Sequence, residues 1–129
     1  MDKLEYIPRD LVSVYVGIKK YIVEVIGTEN ENEVLSYQIK FPNGEIQYAD
    51  KDNIVPIPLT PEILEKNGWK SINGKYALKI KSANYVVLEF TEDGIYAYIN
   101  EKTMLFTIKY IHELQHLLFG FGINHEMEV

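Results

Sequence analysis

Residues 56–61 read PIPLTP and divide this chain into two parts with different folding constraints. Proline lacks a backbone N–H group, so the first two prolines exclude a central β-strand here and favour an extended connector. Thr60 is a good helix N-cap, Pro61 suits the first helical position, and Gly68 follows as a C-cap signal. The segment therefore predicts an extended link that leads into a short helix over residues 61–66.

The part before this segment has the composition of short antiparallel strands. Stretches rich in β-branched and aromatic residues alternate with glycines and turn residues. The acidic run at residues 29–33 has the composition of a loop, and Asn43-Gly44 is a hairpin signal. The predicted strands are residues 12–16, 21–26, 34–41 and 46–48. Together they indicate a small antiparallel β-barrel-like lobe over residues 1–59, with an SH3-like barrel as its specific topology.

The part after the segment predicts a second antiparallel sheet and a longer helix. Alternation and turn residues predict strands at residues 76–81, 85–90, 95–99 and 103–106. A helical period then predicts a helix from about Thr107 to Phe119, closed by Gly120. We therefore expect an α+β protein in which a short linking helix precedes a second sheet packed by the C-terminal helix. This second lobe covers residues 60–129, and the two lobes are expected to form one cooperative unit.

Composition and charge disfavour several functional classes. The chain has no cysteine, which removes disulfides, thiolate metal sites and cysteine nucleophiles. Its net charge of −6 at pH 7 disfavours a nucleic-acid-binding barrel, because such proteins need a concentrated cationic surface. The sequence shows neither a signal peptide nor an apolar run long enough to span a membrane. We therefore expect a soluble cytoplasmic protein that has no membrane partner.

Residues 112–116 read HELQH and match the pattern H-E-x-x-H, which zinc metalloproteases carry on a helix. The chemistry needs this spacing because two histidines one turn apart share a Zn²⁺, while the glutamate polarises the metal-bound water. His112 and His116 are therefore candidate zinc ligands, and Glu113 is the candidate general base. A minimal zinc-dependent peptidase is the alternative function that this motif supports.

The surrounding sequence weakens the zinc hypothesis. A helical wheel places the histidines and glutamate of the motif opposite the apolar face, beside Lys109, whose positive charge disfavours a divalent cation. A catalytic zinc also needs a third protein ligand, and the extended metzincin pattern fails at positions 119 and 122. Too few residues follow the motif for a second helix that could supply a glutamate. His125 is the third candidate ligand, and Glu126 and Glu128 are the other residues within reach.

The preferred interpretation of this helix is structural. His112 and Gln115 are three residues apart at the boundary of the predicted apolar face. There they can hydrogen-bond backbone groups of a neighbouring strand or loop, as buried polar groups must. We therefore predict that they form a structural polar pair. Glu113 and His116 are then a solvated pair, which contributes roughly a few tenths of a kcal/mol.

Tyrosines supply a second functional signal. The chain has ten of them, and exposed tyrosine on a sheet is a common component of recognition surfaces. β-Sheets are also rich in tyrosine for structural reasons. The tyrosines in predicted strands are Tyr15, Tyr21, Tyr37, Tyr48, Tyr85, Tyr96 and Tyr98. The sequence therefore supports a protein-binding surface without indicating which face carries it.

Two stretches of the chain resemble a known group of proteins. Residues 54–69 contain a Pro-Ile-Pro-Leu-Thr helix start, and residues 108–116 contain a His-x-Leu-Gln helix followed by a short tail. In combination they are similar to a group of small uncharacterised proteins from gut bacteria and their phages or mobile elements. The similarity spans most of the chain, and the two signatures together are fairly specific.

The resemblance implies a structural helix and no particular reaction. In the group that the chain resembles, the helix signature centres on His112, Leu114 and Gln115, whereas Glu113 and His116 are replaceable. A zinc enzyme could not replace those two residues, so the resemblance argues against the peptidase. We therefore expect a non-enzymatic accessory or protein-interaction module of phage or mobile-element type, with a protein partner and no cofactor.

Overall fold

The computed structural model describes residues 6–31, 34–80, 84–100 and 103–129. The chain forms two compact units, Met1–Ile57 and Pro58–Val129. In these described ranges each unit contains one five-stranded antiparallel sheet, and both α-helices belong to the second unit. The structure therefore confirms the predicted α+β class. The boundary after Ile57 lies two residues before the predicted boundary at residue 59.

The described part of unit 1 (residues 6–31 and 34–57) contains five strands and one 3-10 turn. They are β1 (Leu11–Val16), β2 (Lys19–Glu31), β3 (Val34–Lys40), β4 (Ile46–Asp50), the 3-10 turn (Lys51–Asn53) and β5 (Ile54–Pro56). The sheet order is β4-β3-β2-β1-β5, so β4 and β5 are its two edges and the hydrogen-bonded sheet is open. The first part of β2 pairs with β1 and the second part with β3. A bulge between Val25 and Gly27 separates these parts, and a bulge bends a strand and increases its twist.

Two segments of unit 1 differ from the sequence prediction. The acidic run at residues 29–33 is not simply a loop, because β2 continues to Glu31 and pairs there with β3; residues 32 and 33 lie outside the described residues. The predicted connector is partly an edge strand, because β5 pairs with three residues of β1. Pro56 is tolerated in β5 because an edge strand needs hydrogen bonds on one side only.

One face of the first sheet is buried in a single core. Alternate residues of the strands, such as Val23 and Val25 in β2, belong to this cluster, as does Tyr37 of β3. The Tyr6 and Tyr37 rings pack edge to face with their centroids 5.3 Å apart. Because side chains alternate between the faces of a strand, burial of these residues directs their neighbours outward.

Unit 2, residues 58–129, is a meander with two helices. Its elements are α1 (Pro61–Lys66), β6 (Lys70–Ile72), β7 (Lys75–Lys79), β8 (Tyr85–Thr91), β9 (Gly94–Ile99), β10 (Thr103–Ile108) and α2 (Ile111–Gly120). The strands lie in sequence order, β10-β9-β8-β7-β6. The sequence prediction missed β6. Its signal is Asn73-Gly74, a two-residue hairpin turn in which both residues have positive φ, 53° and 80°.

The two helices compare differently with their predictions. α1 has the predicted bounds, and the Thr60 side chain caps it by accepting a hydrogen bond from the Ile63 backbone N–H at 3.3 Å. α2 begins at Ile111, four residues after the predicted start at Thr107. Thr107 and Ile108 instead continue β10 and pair with β9. Strand pairing therefore overrides the helical period at these two positions.

The start of unit 2 lies beside the start of α2. The Leu59 N–H donates to the Lys109 carbonyl oxygen at 3.0 Å, and Pro58 forms an isolated β-bridge with Tyr110. Leu114, on the apolar side of α2, is fully buried. These contacts fix the backbone from which the predicted motif projects. Within the described ranges, no helix is long and apolar enough to cross a membrane.

Candidate functional site

Glu113 caps the N-terminus of α2. Its Oε1 accepts hydrogen bonds from the backbone N–H groups of Lys109 at 2.9 Å and Tyr110 at 3.0 Å. Tyr110 is the N-cap residue, and Glu113 is at the third helical position, where glutamate closes a capping box. The carboxylate that the zinc hypothesis assigns to metal-bound water is therefore directed toward the start of the helix.

His112 is buried, in contrast to its place on the helical wheel. Only 5% of its surface is exposed. Its ring stacks on that of Tyr110, with centroids 5.9 Å apart and an interplanar angle of 12°. The His116 ring meets it edge to face at 5.6 Å. The helical wheel placed His112 on the side of α2 that was expected to face solvent. In the structure, the Tyr110 ring packs against His112 in the first turn of α2.

Gln115 links α2 to the residues that follow it. Its side chain is fully buried, and Nε2 donates a hydrogen bond to the His125 carbonyl oxygen at 2.9 Å. The sequence predicted an acceptor in a neighbouring strand or loop for the His112 and Gln115 pair. The acceptor of Gln115 is a backbone group in the C-terminal segment, outside the helices and strands. A buried amide group that lacks an acceptor destabilises the fold by about 1–3 kcal/mol. The bond to His125 therefore favours the observed position of the C-terminal segment.

The C-terminal segment is also held by residues at the end of α1. Asn67 Nδ2 donates to the Glu128 carbonyl oxygen at 2.8 Å, and the Glu128 N–H donates to Asn67 Oδ1 at 2.8 Å. Lys66 Nζ donates to the Val129 carbonyl oxygen at 2.9 Å. All three bonds use backbone atoms of the segment. Sequence reasoning missed Asn67 because its position beside Gly68 indicated only a helix end.

The structure does not bring the three histidines together. In the part of the chain that it describes, no group of three or more His, Asp or Glu residues could hold a metal ion. His112 and His116 are adjacent because of helical spacing, whereas the His125 ring packs edge-on against Phe119 at 5.1 Å. Because Glu113 caps the start of α2, the contacts seen at the motif are structural ones. The zinc peptidase stays a prediction of the sequence motif only.

A second candidate site is a pocket in unit 1. Its volume is about 300 Å³, and it is lined by residues of β1, β3, β4 and the 3-10 turn. Val14 and Ile39 are core residues, so the pocket reaches the buried face of the sheet. Tyr15 and Tyr48 also line it, although 55% and 57% of their surfaces are exposed. Two tyrosines that are far apart in sequence therefore meet at one concave surface.

The pocket lies beside an edge of the sheet. β1 and β4 both line it although they are not neighbours in the sheet order. β4 is an edge strand, and β5 pairs with β1 only as far as Val14. Within the described ranges, Tyr15 and Val16 therefore have no strand partner on the β5 side. Backbone at such edges is able to pair with an added extended chain.

The polar lining of the pocket comes from β4 and the 3-10 turn. Gln47, Asp50 and Asn53 contribute to it, and Asp50 is the charged residue in the lining. Ser36 Oγ donates to Asp50 Oδ1 at 3.4 Å. The pocket therefore combines aromatic and aliphatic walls with one carboxylate.

The hairpin between β1 and β2 exposes apolar side chains next to this pocket. Gly17 and Ile18 form its two-residue turn, and Gly17 has a φ of +66°. Ile18 is 98% exposed, and Val16, which also lines the pocket, is half-exposed. Lys19 follows the turn directly. Isoleucine is not among the residues that such turns favour, which are glycine, asparagine and aspartate.

Comparison with known proteins gives no match: no protein family, no curated protein sequence and no solved structure is significantly similar to the chain.

The two candidate sites differ in what their chemistry allows. The groups around α2 hydrogen-bond or stack on one another within unit 2. The unit 1 pocket instead presents Tyr15, Tyr48 and Asp50 at an accessible concave surface. Sequence reasoning pointed to tyrosines in strands without selecting this pair, and it missed Ile18 and Asp50. An apolar residue in a glycine turn was the signal available for Ile18.

Proposed function

We propose that this chain is a non-enzymatic protein-interaction module that binds its partner through unit 1. The observation that carries the proposal is the pocket of about 300 Å³ between Tyr15 and Tyr48. Tyrosine is among the residues that contribute most to binding when a partner covers them. Both tyrosines are more than half exposed in this structure, so a partner has aromatic residues to bury.

We also propose that unit 1 is coiled as an SH3-like barrel. The bulge at Val25 and Gly27 supports this form, because it lets the two parts of β2 belong to differently oriented halves of the sheet. The shared pocket supports it further, since β1 and β4 can line one pocket only if the sheet curls. A curled sheet of this kind leaves a groove where its edges approach each other.

The proposed ligand is an extended segment of a partner protein. An extended chain can hydrogen-bond to the edge of β4 while its side chains contact the tyrosines. β4 contains neither proline nor lysine, the residues that commonly protect a sheet edge, and it exposes Ile46 as well as Tyr48. β5, the other edge, is only three residues long and includes Pro56. We therefore assign binding to the β4 side of the sheet.

The biological setting of the proposal is an accessory protein of a phage or mobile element. It is supported by the resemblance of residues 54–69 and 108–116 to small proteins of that origin. The structure of unit 1 supports the interaction function independently of that setting.

Selection from a library of short random peptides tests the proposed function. The full chain is immobilised in three forms: wild type, the double variant Tyr15→Ala/Tyr48→Ala, and Tyr85→Ala as a control. Tyr85 is an exposed tyrosine in β8 of unit 2, so its removal leaves the pocket unchanged. We expect a consensus peptide that the wild type and the control enrich and the double variant does not. No enrichment, or equal enrichment by the double variant, would contradict the proposal.

A further inference from the structure

We infer that the partner of this surface is a second copy of the chain, whose β1–β2 hairpin inserts Ile18 into the pocket between Tyr15 and Tyr48. This inference rests on the proposed function, because it uses the same pocket, and it replaces the extended segment of a partner protein with the hairpin tip of a second copy. It identifies both the occupant and the side chains that each copy contributes. The exposure of the hairpin tip, the lining of the pocket and the charges of the two surfaces support this assignment.

The hairpin tip has the properties of an interface anchor. Ile18 is 98% exposed, so it contributes almost nothing to the core of its own chain. Burial of an isoleucine side chain is favourable, and this residue leaves that free energy unused in the monomer. Ile18 lies in a tight two-residue turn that the pairing of Val16 with Lys19 closes, and Gly17 in this turn has a φ of +66°. A residue held in a short closed turn has less backbone entropy to lose when it binds.

The pocket has the lining that such an anchor needs. Its volume of about 300 Å³ accommodates a branched aliphatic side chain together with neighbouring atoms of the hairpin. Val14, Val16 and Ile39 give it aliphatic walls, and the rings of Tyr15 and Tyr48 are available to cover the inserted residue. The near-complete exposure of Ile18 shows that a chain does not fill its own pocket with it.

The charges of the two surfaces are complementary. Asp50 is the charged residue of the pocket lining, and Lys19 and Lys20 directly follow Ile18 on the hairpin. Insertion of the tip brings these lysines toward Asp50 of the other copy. This local attraction offsets part of the general repulsion between two chains that each carry a net charge of −6.

The positions of anchor and pocket favour a twofold dimer. Tyr15 and Val16 line the pocket and are also the last residues of the strand that leads to the tip. The same patch thus contains an anchor and a pocket, which is the requirement for an isologous interface. Each copy then donates Ile18 and receives the Ile18 of its partner. An interface of hairpin size is small, so we expect a weak dimer at micromolar concentrations or above.

Sedimentation velocity of the full chain over a wide concentration range tests this inference. The variants are Ile18→Asp and, as a matched control, Ile72→Asp. Ile72 is a half-exposed isoleucine in β6 of unit 2 and lies outside the pocket. We expect a concentration-dependent dimer for the wild type and the control, and an at least tenfold weaker dimer for Ile18→Asp. Circular dichroism spectra and melting temperatures show whether each variant is folded.

A charge exchange tests which side chains meet. Asp50→Lys places lysine in the pocket opposite a basic hairpin, and Lys19→Glu/Lys20→Glu places glutamate on the hairpin opposite an acidic pocket. Each of these variants should therefore dimerise at least several-fold more weakly than the wild type. A mixture of the two should restore dimerisation, because both contacts in the mixed dimer then pair opposite charges.

The outcomes separate this inference from the proposed function. A wild type that stays monomeric, a dimer that Ile18→Asp does not weaken, or a mixture that restores nothing overturns the inference. If the same chain still selects peptides in a manner that depends on Tyr15 and Tyr48, the pocket binds another protein and the proposed function stands. If both experiments fail, the proposed function fails as well.

Discussion

Replacement of Glu113 by alanine removes the carboxylate that accepts hydrogen bonds from the backbone N–H groups of Lys109 and Tyr110. Loss of a capping side chain costs about 0.5–2 kcal/mol, typically about 1. Loss of a negative charge in the first helical turn costs a further 0.3–1 kcal/mol or so. Alanine recovers a few tenths of a kcal/mol, roughly, through its higher helix propensity. We therefore expect Glu113→Ala to lower the free energy of unfolding by about 1.5 kcal/mol.

Glu113→Gln separates the cap from the charge. Glutamine keeps an acceptor oxygen for the two backbone N–H groups, so it retains the capping box and loses only the interaction with the helix dipole. We expect Glu113→Gln to lower the free energy of unfolding by about 0.5 kcal/mol, so its stability lies between those of the wild type and the alanine variant. For a chain of this size, each kcal/mol lost from the free energy of unfolding lowers the melting temperature by roughly 3–5 °C.

Urea denaturation followed by circular dichroism measures these differences. Glu65→Ala, at an exposed glutamate of α1, is the control and should change stability by less than about 0.5 kcal/mol. The peptidase hypothesis predicts another pattern, in which Glu113→Gln leaves stability unchanged and abolishes a peptidase activity. The capping interpretation is refuted if glutamine is as destabilising as alanine, or if neither variant is less stable than the wild type.

Three further substitutions test other contacts. Gly94→Ala should cost about 1–3 kcal/mol, because Gly94 has a φ of +131° and an added Cβ would lie 2.8 Å from Thr107 Cγ2; a melting temperature equal to that of the wild type would contradict it. Asn67→Ala removes both hydrogen bonds to the Glu128 backbone and should speed hydrogen exchange at the Glu128 amide roughly 5- to 30-fold, so unchanged exchange would count against the contact. Thr60→Ala removes the α1 cap and should cost about 1 kcal/mol in the same urea assay, whereas Thr60→Ser should be nearly neutral.

Local signals in the sequence predicted the elements that depend on local interactions. The cap at Thr60 and the proline at the first helical position define α1 within the chain itself, and its predicted bounds match. The start of α2 was wrong because Thr107 and Ile108 fit a helical period but pair with β9. The end of β2 at Glu31 was likewise missed, since its pairing with β3 outweighs an acidic composition. Pairing partners decide these boundaries, and periodicity does not identify them.

The candidate sites depend even more on distant residues. Glu113 is one of the three fixed residues of the H-E-x-x-H motif. A glutamate also suits the third position of a helix, and the contacts of Glu113 show that it caps α2. Asn67 and Glu128 are 61 positions apart, so no sequence pattern connects them. Tyr15 and Tyr48 could be recognised as tyrosines in strands, but no sequence pattern shows that they line the same pocket. The residue types were predictable, whereas their combination required the tertiary structure.

Amide chemical-shift mapping of the full chain with the consensus peptide from the library selection tests most directly whether unit 1 carries the binding surface. The interaction module predicts that shifted resonances cluster at residues 14–16 and 46–50, on the strands that line the pocket. The same shifts should be absent when Tyr15→Ala/Tyr48→Ala receives the peptide. Shifts that cluster instead at residues 110–125, around the histidine motif, would contradict the assignment of function to unit 1.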